Sequence, residues 1–110
     1  MSIGTQNASD AFSAGSAQEK IREVLGCEWT LLILETIKSG TVRPEEIERS
    51  VTGLSTNVLN DRLLKLVHYG VLERRALPEI PPRPEYPLSP FGERFTAILD
   101  SIRELENAEV

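Results

Sequence analysis

Apolar residues recur at helical spacing along most of the chain, and each run is bounded by a cap or a breaker. Ile21, Val24 and Leu25 stand at i, i+3 and i+4. Ahead of them, Ser16-Ala17-Gln18-Glu19 has capping-box spacing, so a first helix is predicted from Ser16, with Gly26 ending or bending it. Residues 28–38 are predicted as a second helix, with Trp29, Leu32, Ile33 and Ile37 on one face. Leu31 and Leu34 make it apolar nearly all round, which places it at the centre of the fold or in a subunit interface. Ser39-Gly40 stops it. Pro44 fits the first turn of a third helix, where its missing amide costs nothing. Ile47 and Val51 face the core from that helix, and Glu45, Glu46 and Glu48 form its solvated side. Thr52-Gly53 is a turn. Ser55 caps a fourth helix running to about Tyr69, with Leu59, Leu63, Leu66 and Val67 as its buried stripe. Thr56, Asn57, Asn60, Asp61, Lys65 and His68 lie on or beside its opposite face, and Gly70 is its stop.

After Gly70 the period changes. Residues 71–77 read as a strand, with Leu72 on the face opposite Val71 and Glu73. Pro78-Glu79-Ile80-Pro81-Pro82 reads as a loop or hairpin tip. Residues 83–88 return as a second strand, which Pro84 and Pro87 confine to an edge. Ser89-Pro90 is a cap followed by proline at the first helical position. The last helix carries Phe91, Phe95, Ile98, Leu99, Ile102 and Leu105 at helical spacing and outruns what a small core needs. Helices followed by a hairpin and a final helix define a mostly α fold with a small β-hairpin. The arrangement is that of a winged helix-turn-helix, expected to dimerise through its terminal helices. Its helix-turn-helix spans residues 44–51, the turn 52–54, and a recognition helix from Ser55.

Composition narrows the function. The 110 residues fit one small domain, expected over 16–110, behind a flexible tail over 1–15 whose large apolar residues are Ile3 and Phe12. Phe12 is a candidate docking residue. With one cysteine, Cys27, and one histidine, His68, the chain makes neither an internal disulfide nor a thiolate zinc site. It has no Gly-rich phosphate loop, HExxH or GxSxG motif, so neither an enzyme nor a metal or cofactor is expected. No apolar run approaches the roughly 18–20 residues that span a bilayer, and a cytoplasmic chain with no membrane partner is expected. The net charge of −5 stands against nucleic acid as a partner.

Four stretches nonetheless resemble one family, the HxlR-type winged-helix regulators related to the MarR group. They are Trp29-Thr30-Leu31-Leu32-Ile33-Leu34, then Gly53-Leu54-Ser55 with Leu59, Arg62 and Leu63, and Gly70-Val71-Leu72-Glu73-Arg74-Arg75. The fourth is Pro81-Pro82-Arg83-Pro84-Glu85-Tyr86 with Leu88-Ser89-Pro90-Phe91-Gly92. They follow in order over roughly residues 20–105, and the Pro-Pro-Arg-Pro-Glu-Tyr stretch is the most diagnostic. The resemblance implies a homodimeric transcription factor on a pseudo-palindromic operator. The chain departs from the family pattern at several points. The position just before the first helix, where the family commonly has a cysteine, is Ser16 here. Cys27 stands where glycine is usual, Glu28 where Lys is common and Pro44 where Phe is common. The acidic third helix departs from the family's usual phosphate contacts.

The candidate DNA contacts follow from these placements. Ser55, Thr56, Asn57, Asn60 and Asp61 offer caps, donors and acceptors to base edges, the alternative being a solvated helix face. Arg62 and Lys65 flank that face as phosphate ligands, Arg62 being nearly as suited to a structural ion pair. Arg74, Arg75 and Arg83 are wing contacts, Arg83 foremost; the alternative is pairing with Glu73, Glu79 and Glu85 across the hairpin. Ile21, Leu25, Phe95, Ile98, Leu99, Ile102 and Leu105 are the candidate dimer interface, with the earlier residues of the last helix suited to the chain's own core. Cys27, beside a helix start, is a redox candidate against the plainer reading of a small packed residue between two helices. Double-stranded DNA and a second copy of the chain are the expected partners. The competing class is a winged-helix protein-interaction module, whose acidic third helix would suit a basic protein. The charge distribution no longer excludes DNA, although the local excess is modest. Residues 55–86 hold Arg62, Lys65, Arg74, Arg75 and Arg83 against Asp61, Glu73, Glu79 and Glu85, a net +1, which leaves −6 elsewhere in a chain of −5.

Overall fold

The computed structural model describes residues 15–79 and 83–108. Residues 1–14 of the expected tail, Phe12 among them, and the tip residues Ile80, Pro81 and Pro82 lie outside the described residues. The elements run α1 (Ala17–Leu25), α2 (Glu28–Lys38), α3 (Pro44–Ser50), α4 (Thr56–His68), β1 (Arg75–Ala76), β2 (Pro84–Glu85) and α5 (Pro90–Ala108).

The caps act where the sequence places them. The Ser16 side chain accepts from the Glu19 amide and the Glu19 carboxylate accepts from the Ser16 amide, completing the capping box of α1. The Ser55 hydroxyl accepts from the Val58 amide at the start of α4. The Ser89 hydroxyl accepts from the Gly92 amide at 2.8 Å and donates to the Gly70 carbonyl at 2.5 Å. One hydroxyl therefore caps α5 and ties it to the end of α4.

α1 packs on α2 and α5, α2 on α3, and α3 on α4. Ile33, Ile47, Leu59, Leu63, Leu66 and Val71 fill the centre with almost no exposed surface. Ion pairs from Lys38 to Asp100 and from Arg103 to Glu35 hold α2 along α5. Gly53, at φ +87°, makes the left-handed turn between α3 and α4, and a Cβ there would lie 3.5 Å from the Trp29 ring. Gly92 serves a different need: a Cβ on it would collide with the Val71 carbonyl, so only glycine lets α5 lie this close to the wing.

Several expectations are corrected. The strands are shorter than 71–77 and 83–88: β1 and β2 pair antiparallel with Arg75 opposite Glu85 and Ala76 opposite Pro84, beyond an isolated bridge between Leu72 and Leu88. Pro84 and Pro87 cannot donate to a ladder, which breaks the pairing into short pieces. Val71 and Leu72 do not alternate; both are buried, because their amides bond to the Leu66 carbonyl at the end of α4 rather than to a strand. On α2, Leu32 is exposed although the apolar pattern placed it on the face of Trp29, Ile33 and Ile37, and Thr30, which the pattern did not assign, is buried. Phe95 and Leu99, expected at the dimer interface, lie in the chain's own core at 2% and 3% exposure. Their face of α5 is the one α1 and α2 cover.

Candidate nucleic-acid interface

α4 follows the Gly53 turn with Leu59, Leu63 and Leu66 buried, and this fixes which side faces out. Asn57, Asn60, Asp61, Leu64, Lys65 and His68 are exposed on it. Ser55 and Thr56 are exposed at its N-terminus. The structure thus brings Ser55, Thr56, Asn57, Asn60, Asp61 and Lys65 onto one connected surface, as the sequence predicts. It adds Leu64, which the reading of the pattern missed. Leu64 is 66% exposed among polar neighbours, where an apolar side chain suits the methyl group of thymine. The signal was present: Leu64 is the leucine of this helix that falls outside the Leu59, Leu63, Leu66 stripe.

The charges on this surface are partly neutralised from within. Asp61 accepts from Arg62 Nη1 at 2.5 Å and lies 4.0 Å from Lys65 Nζ. Thr56 Oγ1 donates to Glu48 Oε2 at 2.7 Å, linking the start of α4 to α3. Arg62 also turns inward, where its Nε donates to Cys27 Sγ at 3.2 Å. The ion pair expected for Arg62 exists, and the sulfur contact is an addition to it.

Cys27 is the N-cap of α2 and is half-buried. Burial pushes its thiol up, but hydrogen bonds from the Thr30 side chain and backbone, with the Arg62 guanidinium, outweigh this and hold it below the ordinary thiol range.

The wing is anchored to α3. Arg83 pairs with Glu45, and Arg43 reaches both Glu85, at 3.3 Å, and Glu79, at 3.7 Å. The Tyr86 amide donates to the Val42 carbonyl at 2.8 Å, so the returning strand is also pinned by its backbone. This corrects two expectations. The partner of Arg83 is Glu45 rather than Glu73, Glu79 or Glu85, and the acidic side of α3 is engaged rather than simply solvated. Arg75 pairs with Glu73 at 3.0 Å on its own strand. Arg74 is exposed and in no ion pair among the described residues.

On α5, Ile98 and Leu105 are 50% and 65% exposed, with Ile102 half-buried between them. Ile21 and Leu25 are half-buried against the core. Among the described residues no group of acidic, His or Cys side chains is placed to hold a metal ion. No helix among them is long and apolar enough to cross a membrane.

A helix pair joined by a glycine turn, with a hairpin braced against its first helix, defines a winged helix-turn-helix protein. The chain belongs to the HxlR-like helix-turn-helix family of transcriptional regulators, which are not enzymes; the family model matches residues 24–110. It is 38% identical over 84 residues to the HTH-type transcriptional regulator YvaP of Bacillus subtilis, covering 76% of this chain and 78% of YvaP. Among solved structures it is similar to diamide-treated YodB of B. subtilis, with a TM-score of 0.74 and 28% identity over 82% of this chain and 89% of YodB. A MarR-family transcriptional regulator from Enterococcus faecalis V583 superposes with a TM-score of 0.73 and 30% identity, covering 86% of this chain and 89% of that one.

Proposed function

We propose that the chain binds double-stranded DNA sequence-specifically as a homodimer on a pseudo-palindromic operator. α4 enters the major groove and the hairpin lies on the backbone or in the minor groove. The observation that carries this reading is the outward face of α4, where Asn57, Asn60 and Leu64 stand together on a helix whose opposite side is locked into the core. Asparagine suits adenine, an exposed leucine suits a thymine methyl, and Asp61 suits the cytosine amino group. Lys65 and Arg74 are the cations best placed for phosphate, with Arg62, Arg75 and Arg83 available once their carboxylate partners yield. Ile98, Ile102 and Leu105, with the outer surface of Ile21 and Leu25, form the dimer seam. A dimer sets two recognition helices about 34 Å apart, one turn of DNA, which a single small domain cannot do. In vitro selection from random duplexes tests the reading. A recovered two-fold symmetric motif with salt-dependent affinity supports it, and no enrichment at low salt overturns it.

The protein-interaction alternative rested on a free acidic helix. Glu45 and Glu48 are engaged by Arg83 and Thr56, so that helix offers a basic partner less than its composition suggests. A second reading concerns Cys27. Diamide-treated YodB is a relative in fold. In this chain the cysteine touches the recognition helix through Arg62. Peroxide would convert the thiolate to a sulfenic acid, taking one oxygen atom and releasing hydroxide. Equal DNA affinity with and without peroxide, in the wild type and in Cys27→Ser, overturns it.

A further inference from the structure

The sequence pattern puts Glu48 on the solvated side of α3, and the structure leaves it half-buried against the start of α4. Among the described residues it pairs with no cation. Its side-chain partner is instead a hydroxyl: Thr56 Oγ1 donates to Glu48 Oε2 at 2.7 Å.

That bond has a direction. An ionised carboxylate only accepts, so the Thr56 proton is committed to Glu48 and the oxygen has only lone pairs left to offer. Ser55, one position earlier, has the opposite polarity. Its oxygen accepts from the Val58 amide at 3.2 Å, which leaves its proton to donate outward. Both residues are exposed at the N-terminal end of α4. Two adjacent hydroxyls thus differ in kind. The first is a donor suited to a phosphate oxygen, and the second is an acceptor that a phosphate oxygen cannot satisfy. The Glu48 charge sharpens the difference by repelling phosphate from the corner it shares with Thr56. What an acceptor can read in a major groove is an amino group. Adenine N6 and cytosine N4 donate there, whereas guanine O6 and thymine O4 only accept.

We propose that Glu48 determines base specificity through Thr56: by holding the hydroxyl proton it leaves an acceptor that selects adenine or cytosine over guanine or thymine on the strand Thr56 faces. The proposal rests on the reading of α4 as the recognition helix. Glu48 is the positioning residue and Thr56 makes the contact. Without the carboxylate the hydroxyl turns freely, donates to O6 or O4 as readily as it accepts from an amino group, and tolerates all four bases.

The test uses the full chain and an operator recovered with it by selection, and compares all four bases at every position. Wild type should separate adenine and cytosine from guanine and thymine by about three- to ten-fold at one position per half-site, the worth of one hydrogen bond. Glu48→Ala should shrink that separation to about two-fold or less and keep the ranking elsewhere. Loss of a carboxylate should also tighten binding to every sequence, so the ratio between bases is the readout. Thr56→Val should lose the same separation, and adding Glu48→Ala to it should leave the ratio unchanged. Unsubstituted purine for adenine, or 2-pyrimidinone for cytosine, removes the amino group at that position; it should weaken wild-type binding and leave Thr56→Val indifferent. If Glu48→Ala does not fold, Glu48→Gln decides, since its amide brings a donor to the same place and should raise guanine and thymine there. No such position in the wild type, a separation that survives the Glu48 variant, or a loss of preference at all positions together overturns the proposal and leaves the DNA reading standing. Failure to recover any motif at low salt overturns both.

Discussion

Arg62 Nε donates to Cys27 Sγ at 3.2 Å, joining the middle of α4 to the N-cap of α2. Burial raises the thiol, and Thr30 and Arg62 more than reverse that, so the folded value lies below the ordinary one. The sign follows: stability from the charged sulfur is present above the unfolded thiol's pKa and is lost as pH falls through the folded value. Alkylation by iodoacetamide should reach half-maximal rate at lower pH than for a free thiol. Arg62→Gln should move that midpoint up. An unchanged midpoint in the variant shows that the contact does not act on the sulfur.

Glu45 holds Arg83, and the carboxylate is in turn kept below its usual range by that guanidinium. Glu45→Gln should release Arg83 to phosphate, tighten binding to DNA of any sequence and steepen its salt dependence by about one ion. Arg83→Ala should flatten the salt slope by a similar amount without unfolding the protein. Fluorescence anisotropy across a salt series reads both. Identical slopes for the three proteins would show that Arg83 never leaves Glu45.

Leu64→Ala and Asn57→Ala should each cost about 1–3 kcal/mol on a selected operator and relax the base preference at one position per half-site. Neither should lower thermal stability much, since both side chains are exposed. Competition binding against singly substituted operators measures this, and a uniform loss across all sequences would assign these residues to the backbone instead.

Leu105→Glu and Ile98→Glu should give monomers in sedimentation at the same fold content. Phe95→Ala should instead lower stability by about 3–5 kcal/mol, because its ring fills the chain's own core at 2% exposure. A dimer that survives both glutamate variants would place the seam elsewhere.

Gly92→Ala should destabilise by about 1–3 kcal/mol or more in urea unfolding, since the added methyl collides with backbone and not with a side chain that can swing away. A wild-type midpoint would mean that α5 shifts freely on the wing.

The helices were legible because their signals are local. Ser16 with Glu19, Ser55 and Ser89 with Pro90 mark helix starts by side-chain chemistry that acts within three residues. The wing was legible as a hairpin but not in extent, since Val71 and Leu72 answer to the Leu66 carbonyl and not to a neighbouring strand. The outward face of α4 could be read from periodicity. The partners of its charges could not, because Cys27 and Arg62 are brought together over a separation of 35 positions and Arg83 and Glu45 over 38.

The brace formed by Arg43, Glu79, Glu85, Glu45 and Arg83 spans from the first helix of the helix-turn-helix to the returning strand of the hairpin and the residues flanking its tip. In the proposed dimer each subunit then grips DNA as a single jaw whose two fingers keep a set spread. A signal that changes the grip has to alter the gap between jaws, so inducers of this regulator should be sought among molecules that move α1 and α5, and not among those that bend the hairpin.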